Sequence, residues 1–119
     1  MAYTFHSRAT ADLIMLKGTA EQILKILDKP RGEPGIITVE QIPQAIADLE
    51  QAVAEDEQRR RAIEEEIRSG TEQDSAAAAT ASAELGAVSL RQRVVPLVDM
   101  LRRSAQEGKA VTWTVQLRA

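Results

Sequence analysis

The chain has 119 residues, no cysteine, a single histidine and a formal net charge of −3. That length is one small domain, and the missing thiols exclude disulfides, a cysteine nucleophile, thiolate-held iron–sulfur clusters and cysteine-ligated zinc. One histidine is too little for a His-rich metal site, and no apolar run approaches the roughly 20 residues of a membrane-spanning helix.

The charge is unevenly placed. Residues 1–39 carry five basic and four acidic groups, residues 40–74 four basic and eleven acidic, and residues 88–119 six basic and two acidic. No dense basic arm results, and the overall sign opposes non-specific nucleic-acid binding. The aromatic residues are Tyr3, Phe5 and Trp113, so the core must be aliphatic and base-stacking platforms are scarce. Ala2 to Thr10 lacks the basic and apolar regions of a secretory signal, which leads to the expectation of a cytoplasmic protein.

Residues 2–8 alternate. Tyr3 and Phe5 fall on one face, Thr4, His6 and Arg8 on the other, as in a strand. Ser7 to Thr10 is suited to a turn. Asp12-Leu13-Ile14-Met15-Leu16 then reads as a second strand. A helix from near Thr10 is the rival, since Leu13, Leu16, Ala20, Ile23 and Leu27 also fit a 3.6-residue period. The short run and the Lys17-Gly18-Thr19 break favour the strand. Thr19 and Gln22 form a capping-box pattern ahead of Ile23, Leu24 and Leu27, which predicts a helix from Thr19. Lys29 to Gly35 holds two prolines and two glycines and reads as a loop.

Thr38 and Gln41 repeat the capping pattern. Ile42, Ile46, Leu49 and Val53 follow at helical spacing, with Ala45 and Ala52 beside them. After Ala54 the apolar stripe fails. Glu55–Arg59, Asp56–Arg60 and Glu57–Arg61 are acid-then-base pairs four residues apart, each adding about 0.2–0.5 kcal/mol to a solvated helix. One long helix over roughly 39–68 is expected, with its second half leaving the core. Residues 69–88 are rich in Ala and Ser. They read as a flexible linker within a single domain of 1–119, with an Ala-rich helical continuation as the alternative.

Ser89 and Gln92 give a third capping pattern. Leu90, Val94, Leu97, Leu101 and Ala105 form a stripe flanked by Val98, and Gly108 marks its end. Pro96 predicts a kink or a late start. Val111 to Leu117 alternates cleanly, with Val111, Trp113, Val115 and Leu117 inward. The order β-β-α-α-α-β predicts an α+β fold: a small three-stranded, mainly antiparallel sheet packed by helices.

His6 is the one neutral-pH general base available, with Asp12 and Arg8 within reach across a hairpin. Its ordinary reading is a solvent-face strand histidine. Glu64-Glu65-Glu66 and Asp56 match no metal-binding spacing and read as a solvated face. Arg91, Arg93, Arg102 and Arg103 are the best case for anion binding. Arg91 and Arg102 share a flank, while Arg93 and Arg103 point elsewhere, so they read as dispersed surface charge. Trp113 shares a face with Val111 and Val115 and reads as core. The second strand is apolar on both faces. A sheet covered on one side should be polar on the other, so a second copy of the chain is expected on the back.

The stretches Tyr3 to Leu16, Gly35-Ile-Ile-Thr-Val-Glu-Gln41, Ser89-Leu-Arg-Gln-Arg93 with Pro96, and Val111-Thr-Trp113 resemble an uncharacterised bacterial family, the domain of unknown function numbered 1840. The resemblance covers both ends and the middle and leaves out the Ala-rich segment. It implies a small bacterial cytoplasmic protein with no assigned activity, cofactor or catalytic residue, so no residue roles carry over. It also supports a break after Leu16.

The function itself stays unknown at this level. The leading reading is a small non-enzymatic binding or interaction protein that self-associates, with no catalytic, cofactor or metal residues assigned. The alternative is a small-molecule ligand-binding domain or enzyme using His6, Arg8 and the third-helix arginines. A third is a nucleic-acid-associated protein using the basic C-terminal segment.

Overall fold

The computed structural model describes residues 2–70, 72–86 and 88–116. The elements in chain order are β1 (Ala2–His6), β2 (Leu13–Leu16), α1 (Lys17–Ile26), β3 (Gly35–Ile37), a 3-10 turn (Val39–Gln41), α2 (Ile42–Ser69), α3 (Glu72–Leu85), α4 (Leu90–Glu107) and β4 (Val111–Gln116). The fold is α+β. Its sheet has four strands in the order β2-β1-β4-β3, each pair antiparallel.

The expected three strands are corrected by β3, which joins the edge of β4 through Ile37↔Val111, Ile36↔Thr112 and Gly35↔Trp113. Three residues are too few to show alternation, and these follow directly on a Pro/Gly-rich loop. The chain divides into two compact units, Met1–Glu50 with Val94–Ala119, and Gln51–Arg93.

The first unit holds the sheet. Strand alternation puts Tyr3, Phe5, Met15, Ile37, Val111 and Trp113 on one face, and all six are buried. Buried with them are Ala20, Ile23 and Leu24 of α1, Ile42 and Leu49 of α2, and Leu97 and Leu101 of α4. The opposite face carries Thr4, His6, Thr112 and Thr114, together with Ile14, Leu16 and Ile36. Leu117, expected inward, lies outside the described residues.

Polar contacts fix the ends of these elements. The fully buried Tyr3 hydroxyl donates to Glu21 Oε2 and accepts from the Gly32 N–H, both at 2.8 Å, tying β1 to α1 and to the following loop. Burial raises the phenol above its ordinary pKa, and the Glu21 hydrogen bond adds to that. α1 begins at Lys17 with Leu16 as its uncapped N-terminal neighbour, so Thr19 lies inside the helix and its capping pattern is unused. β2 runs straight into α1, which leaves no place for a cap at Thr19. α1 ends with Asp28 at φ 56, while Asp28 N–H reaches Lys25 O and Lys29 N–H reaches Leu24 O. That is a left-handed cap of the kind usually given to glycine. The second capping pattern is used: Gln41 Oε1 accepts the Thr38 N–H at 3.0 Å. Pro43 falls in the first turn of α2, where a missing N–H costs nothing.

Glycine at position 35 is required by packing rather than by backbone angle. A Cβ there would meet Trp113 Cζ2 at 2.3 Å and Cε2 at 2.6 Å. The indole lies across the bare backbone of β3, with Phe5 on β1 at a ring-centroid distance of 5.8 Å and a tilt of 45°.

In the second unit, Val53 is buried and Asp56 is only 5% exposed. Burial along α2 thus continues past Ala54, within this second unit. Asp56 Oδ2 accepts from Arg60 Nε at 2.9 Å and from the Leu90 N–H at 3.2 Å, so it caps the first turn of α4. The same Arg60 donates to Gly86 O at 2.8 Å. A charge pair anticipated on the helix surface instead holds Gly86 and Leu90. Arg59, Glu64, Glu65 and Ile67 are exposed, in keeping with a solvated second half. The third capping box is complete: Ser89 N–H donates to Gln92 Oε1, and Gln92 N–H to Ser89 Oγ. Pro96 lies inside α4 without dividing it. The segment expected as an Ala/Ser-rich linker, 69–88, carries α3, the helical alternative, as alanine's propensity allows.

Two outcomes follow. Gly35→Ala should lower stability by about 1–3 kcal/mol in urea denaturation, because Trp113 must move aside. The Asp56 carboxyl is desolvated, which raises its pKa. The Arg60 and Leu90 hydrogen bonds and the charges of Arg60 and Arg59 outweigh that and hold it below the ordinary value. Stability from such a group is present above the unfolded pKa of about 4 and is lost as pH falls through the folded value. The urea midpoint should therefore decline below about pH 4, and Asp56→Asn should remove part of that decline while costing about 1–3 kcal/mol at neutral pH.

Candidate functional site

His6 ends β1 and Thr112 pairs with it across the ladder. The Ser7–Thr10 turn, closed by Thr10 N–H to Ser7 O, brings the chain back to Asp12. Asp12 Oδ1 then lies 3.0 Å from His6 Nδ1, and His6 Nε2 lies 3.4 Å from Thr114 Oγ1. The hairpin thus makes the His6–Asp12 contact that the sequence allowed, and β4 adds a hydroxyl beyond it.

A carboxylate, an imidazole and a hydroxyl in line are the parts of a nucleophilic relay. Here the Thr114 hydroxyl stands exposed in the middle of β4. What the line does is orient the ring, with Asp12 on Nδ1 and Nε2 toward the sheet.

Beside this line is an open cleft of about 410 Å³, lined by His6, Ser7, Arg8, Lys109, Ala110 and Thr112. One buried residue holds both of its loops. Ser104, fully buried in α4, has its Oγ 2.6 Å from Ser7 Oγ, and its carbonyl accepts the Lys109 N–H at 2.8 Å. Ser7 Oγ also accepts the Ala9 N–H at 3.1 Å. Gly108, at φ 66, allows the sharp exit from α4.

The α4 arginines go elsewhere. Arg91 Nε donates to Glu57 at 2.8 Å, Arg102 pairs with Glu50, and Arg103 Nε lies 3.1 Å from Asp99. Arg91 and Arg102 do share a flank, and it faces acidic residues of α2. Of the arginines named with His6 from sequence, the structure brings only Arg8 to the cleft. Glu64, Glu65 and Glu66 lie exposed on α2, and among the described residues no group of His and acidic side chains is arranged to hold a metal ion. Trp113 is buried in the core.

Sequence reasoning missed Lys109, Thr112, Ser7 and Ser104. No local pattern marks them, since they meet only because β4 returns beside β1. The Gly108-Lys109-Ala110 exit from α4 was the one available signal.

The model of a protein family described as domain of unknown function, DUF1840, matches residues 1–113. The chain belongs to this family. No curated protein and no solved structure matches it. In this DUF1840 chain, no helix among the described residues is long and apolar enough to cross a membrane. The family description assigns no activity, so the roles of Ser104 and the cleft residues rest on geometry. Ser7→Ala and Ser104→Ala should each cost about 1 kcal/mol in urea denaturation. Their double-mutant cycle should show coupling of about 0.5–1.5 kcal/mol, because the two hydroxyls bond to each other.

Proposed function

We propose that this chain is a small non-enzymatic binding protein that associates with a second copy of itself through β2 and the uncovered face of its sheet. The observation that carries the reading is the exposure of Ile14, Leu16 and Ile36, at 69%, 76% and 46%, on the face opposite the helices. Scattered exposed aliphatics are ordinary, but these three share one sheet face.

β2 is an edge strand. Its four residues, Leu13 to Leu16, include no charge and no proline, the usual deterrents to edge pairing. Asp12 precedes the strand and Lys17 follows it. In an antiparallel pairing of two copies, the acidic end of each strand approaches the basic end of the other. With Met15 opposite Met15, Ile14 of one copy lies beside Leu16 of the other on the uncovered face.

The magnitudes favour a weak dimer. Burying each Ile14 and Leu16 side chain contributes about 1–2 kcal/mol, and each ladder hydrogen bond about 0.5–1.5 kcal/mol net. Association costs about 4–15 kcal/mol. The apolar area is below the roughly 800 Å² per partner of a tight complex, so a micromolar equilibrium is expected. A cysteine-free chain needs no oxidising compartment, and the proposal places the protein in the cytoplasm.

Light scattering across a concentration series checks this. The wild type should approach twice the 13.0 kDa chain mass in the high micromolar range. Ile14→Lys should stay at the chain mass with an unchanged circular dichroism spectrum. A wild type that remains monomeric overturns the reading, and so does a fully dimeric Ile14→Lys.

A further inference from the structure

The cleft at the β1–β4 end of the sheet has a chemistry that self-association does not use. Arg8 and Lys109 both line it, both are exposed, and neither is paired with a carboxylate among the described residues. Two arginines of α4 are engaged elsewhere: Arg102 pairs with Glu50, and Arg103 with Asp99. Asp12 contacts His6 Nδ1 and is not part of the cleft lining. The cleft wall is therefore net positive, and it adds the His6 ring and the Thr112 hydroxyl as hydrogen-bonding groups.

We propose that this cleft binds the phosphoryl group of a small molecule. Arg8 presents a planar fork of donors and Lys109 a point charge, a combination suited to a tetrahedral anion with several acceptor oxygens. Thr112, which also lines the cleft, supplies a neutral donor. The loops that carry the two cations are held by one residue. Ser104 bonds Ser7, directly before Arg8, through its hydroxyl, and Lys109 through its carbonyl. Tying both loops to one residue lowers the ordering cost of binding. At about 410 Å³ the cleft falls in the size range of small-molecule sites, with space beyond the anion for the group that carries it.

The inference is independent of the dimer, because no residue of β2 lines the cleft. Amide chemical shifts, followed while inorganic phosphate is added at constant ionic strength, test it. Saturable shifts confined to residues 6–9 and 109–112 are expected, with millimolar affinity for the bare ion. Acetate at matched ionic strength should bind at least tenfold more weakly. The double variant Arg8→Gln, Lys109→Gln changes two exposed side chains, so it should keep the fold and lose at least tenfold in phosphate affinity. Shifts that do not saturate, or equal affinity in the double variant, overturn the site. Equal affinity for acetate overturns its assignment to a phosphoryl group.

Discussion

Trp113 is the side chain around which the sheet is arranged. It lies in β4, the strand between β1 and β3, and its ring spreads over both neighbours. Toward β1 it meets Phe5. Toward β3 it occupies the space where any residue but glycine would carry a Cβ. The ring is placed by packing rather than by its polar edge, since Nε1 is buried with no hydrogen-bond partner among the described residues. Leaving such a donor unpaired costs about 1–3 kcal/mol, which the burial of a large aromatic can offset. The constraint then passes outward. With Gly35 fixed opposite Trp113, the register of β3 puts Ile37 inward and Ile36 outward. The same register contributes one of the three exposed aliphatics on the uncovered face.

The parts of the fold that could be read from sequence are those written in local periodicity. Alternation located β1 and β4 and assigned Tyr3, Phe5, Val111 and Trp113 to the buried face. The helical stripe gave Leu49, Leu97 and Leu101. Two capping boxes were used as written, at Thr38 and Ser89. The third, at Thr19, matched the same pattern and was idle, because a strand already fed α1 two residues earlier. Capping chemistry is a local option, and the tertiary chain path decides whether it is exercised. β3 was invisible because three residues hold too little pattern and its key position is a glycine, whose meaning depends on a tryptophan 78 positions away.

Charge was harder to read than hydrophobicity. Asp56 and Arg60 have the spacing of an exposed helical pair, and nothing local separates them from Glu55–Arg59. The difference is that the Leu90 N–H reaches position 56, so one carboxylate becomes a buried cap while its neighbour on the same helix stays in solvent. The site residues show the same limit. His6 and Asp12 could be joined from sequence because a tight hairpin links them. Lys109 and Thr112 could not, because their proximity to Arg8 comes from the long-range return of β4.

The pairing of the arginines gives the surface its direction. The acidic middle and the basic C-terminal segment, separate along the chain, neutralise each other at Glu50–Arg102 and Glu57–Arg91. Charges used in this way hold α2 and α4 and contribute little to recognition, since exposed pairs are worth about 0–1 kcal/mol and are screened by salt. Arg8 and Lys109 stand on loops at the end of the sheet, where both line the cleft. The same end is braced by the fully buried Ser104, so the unpaired charge sits on two loops tied to one buried residue. On the sheet face next to it, aliphatic side chains take the place of charge. The molecule thus separates two kinds of unfilled surface: an apolar one suited to a second chain, and a cationic one suited to a small anion.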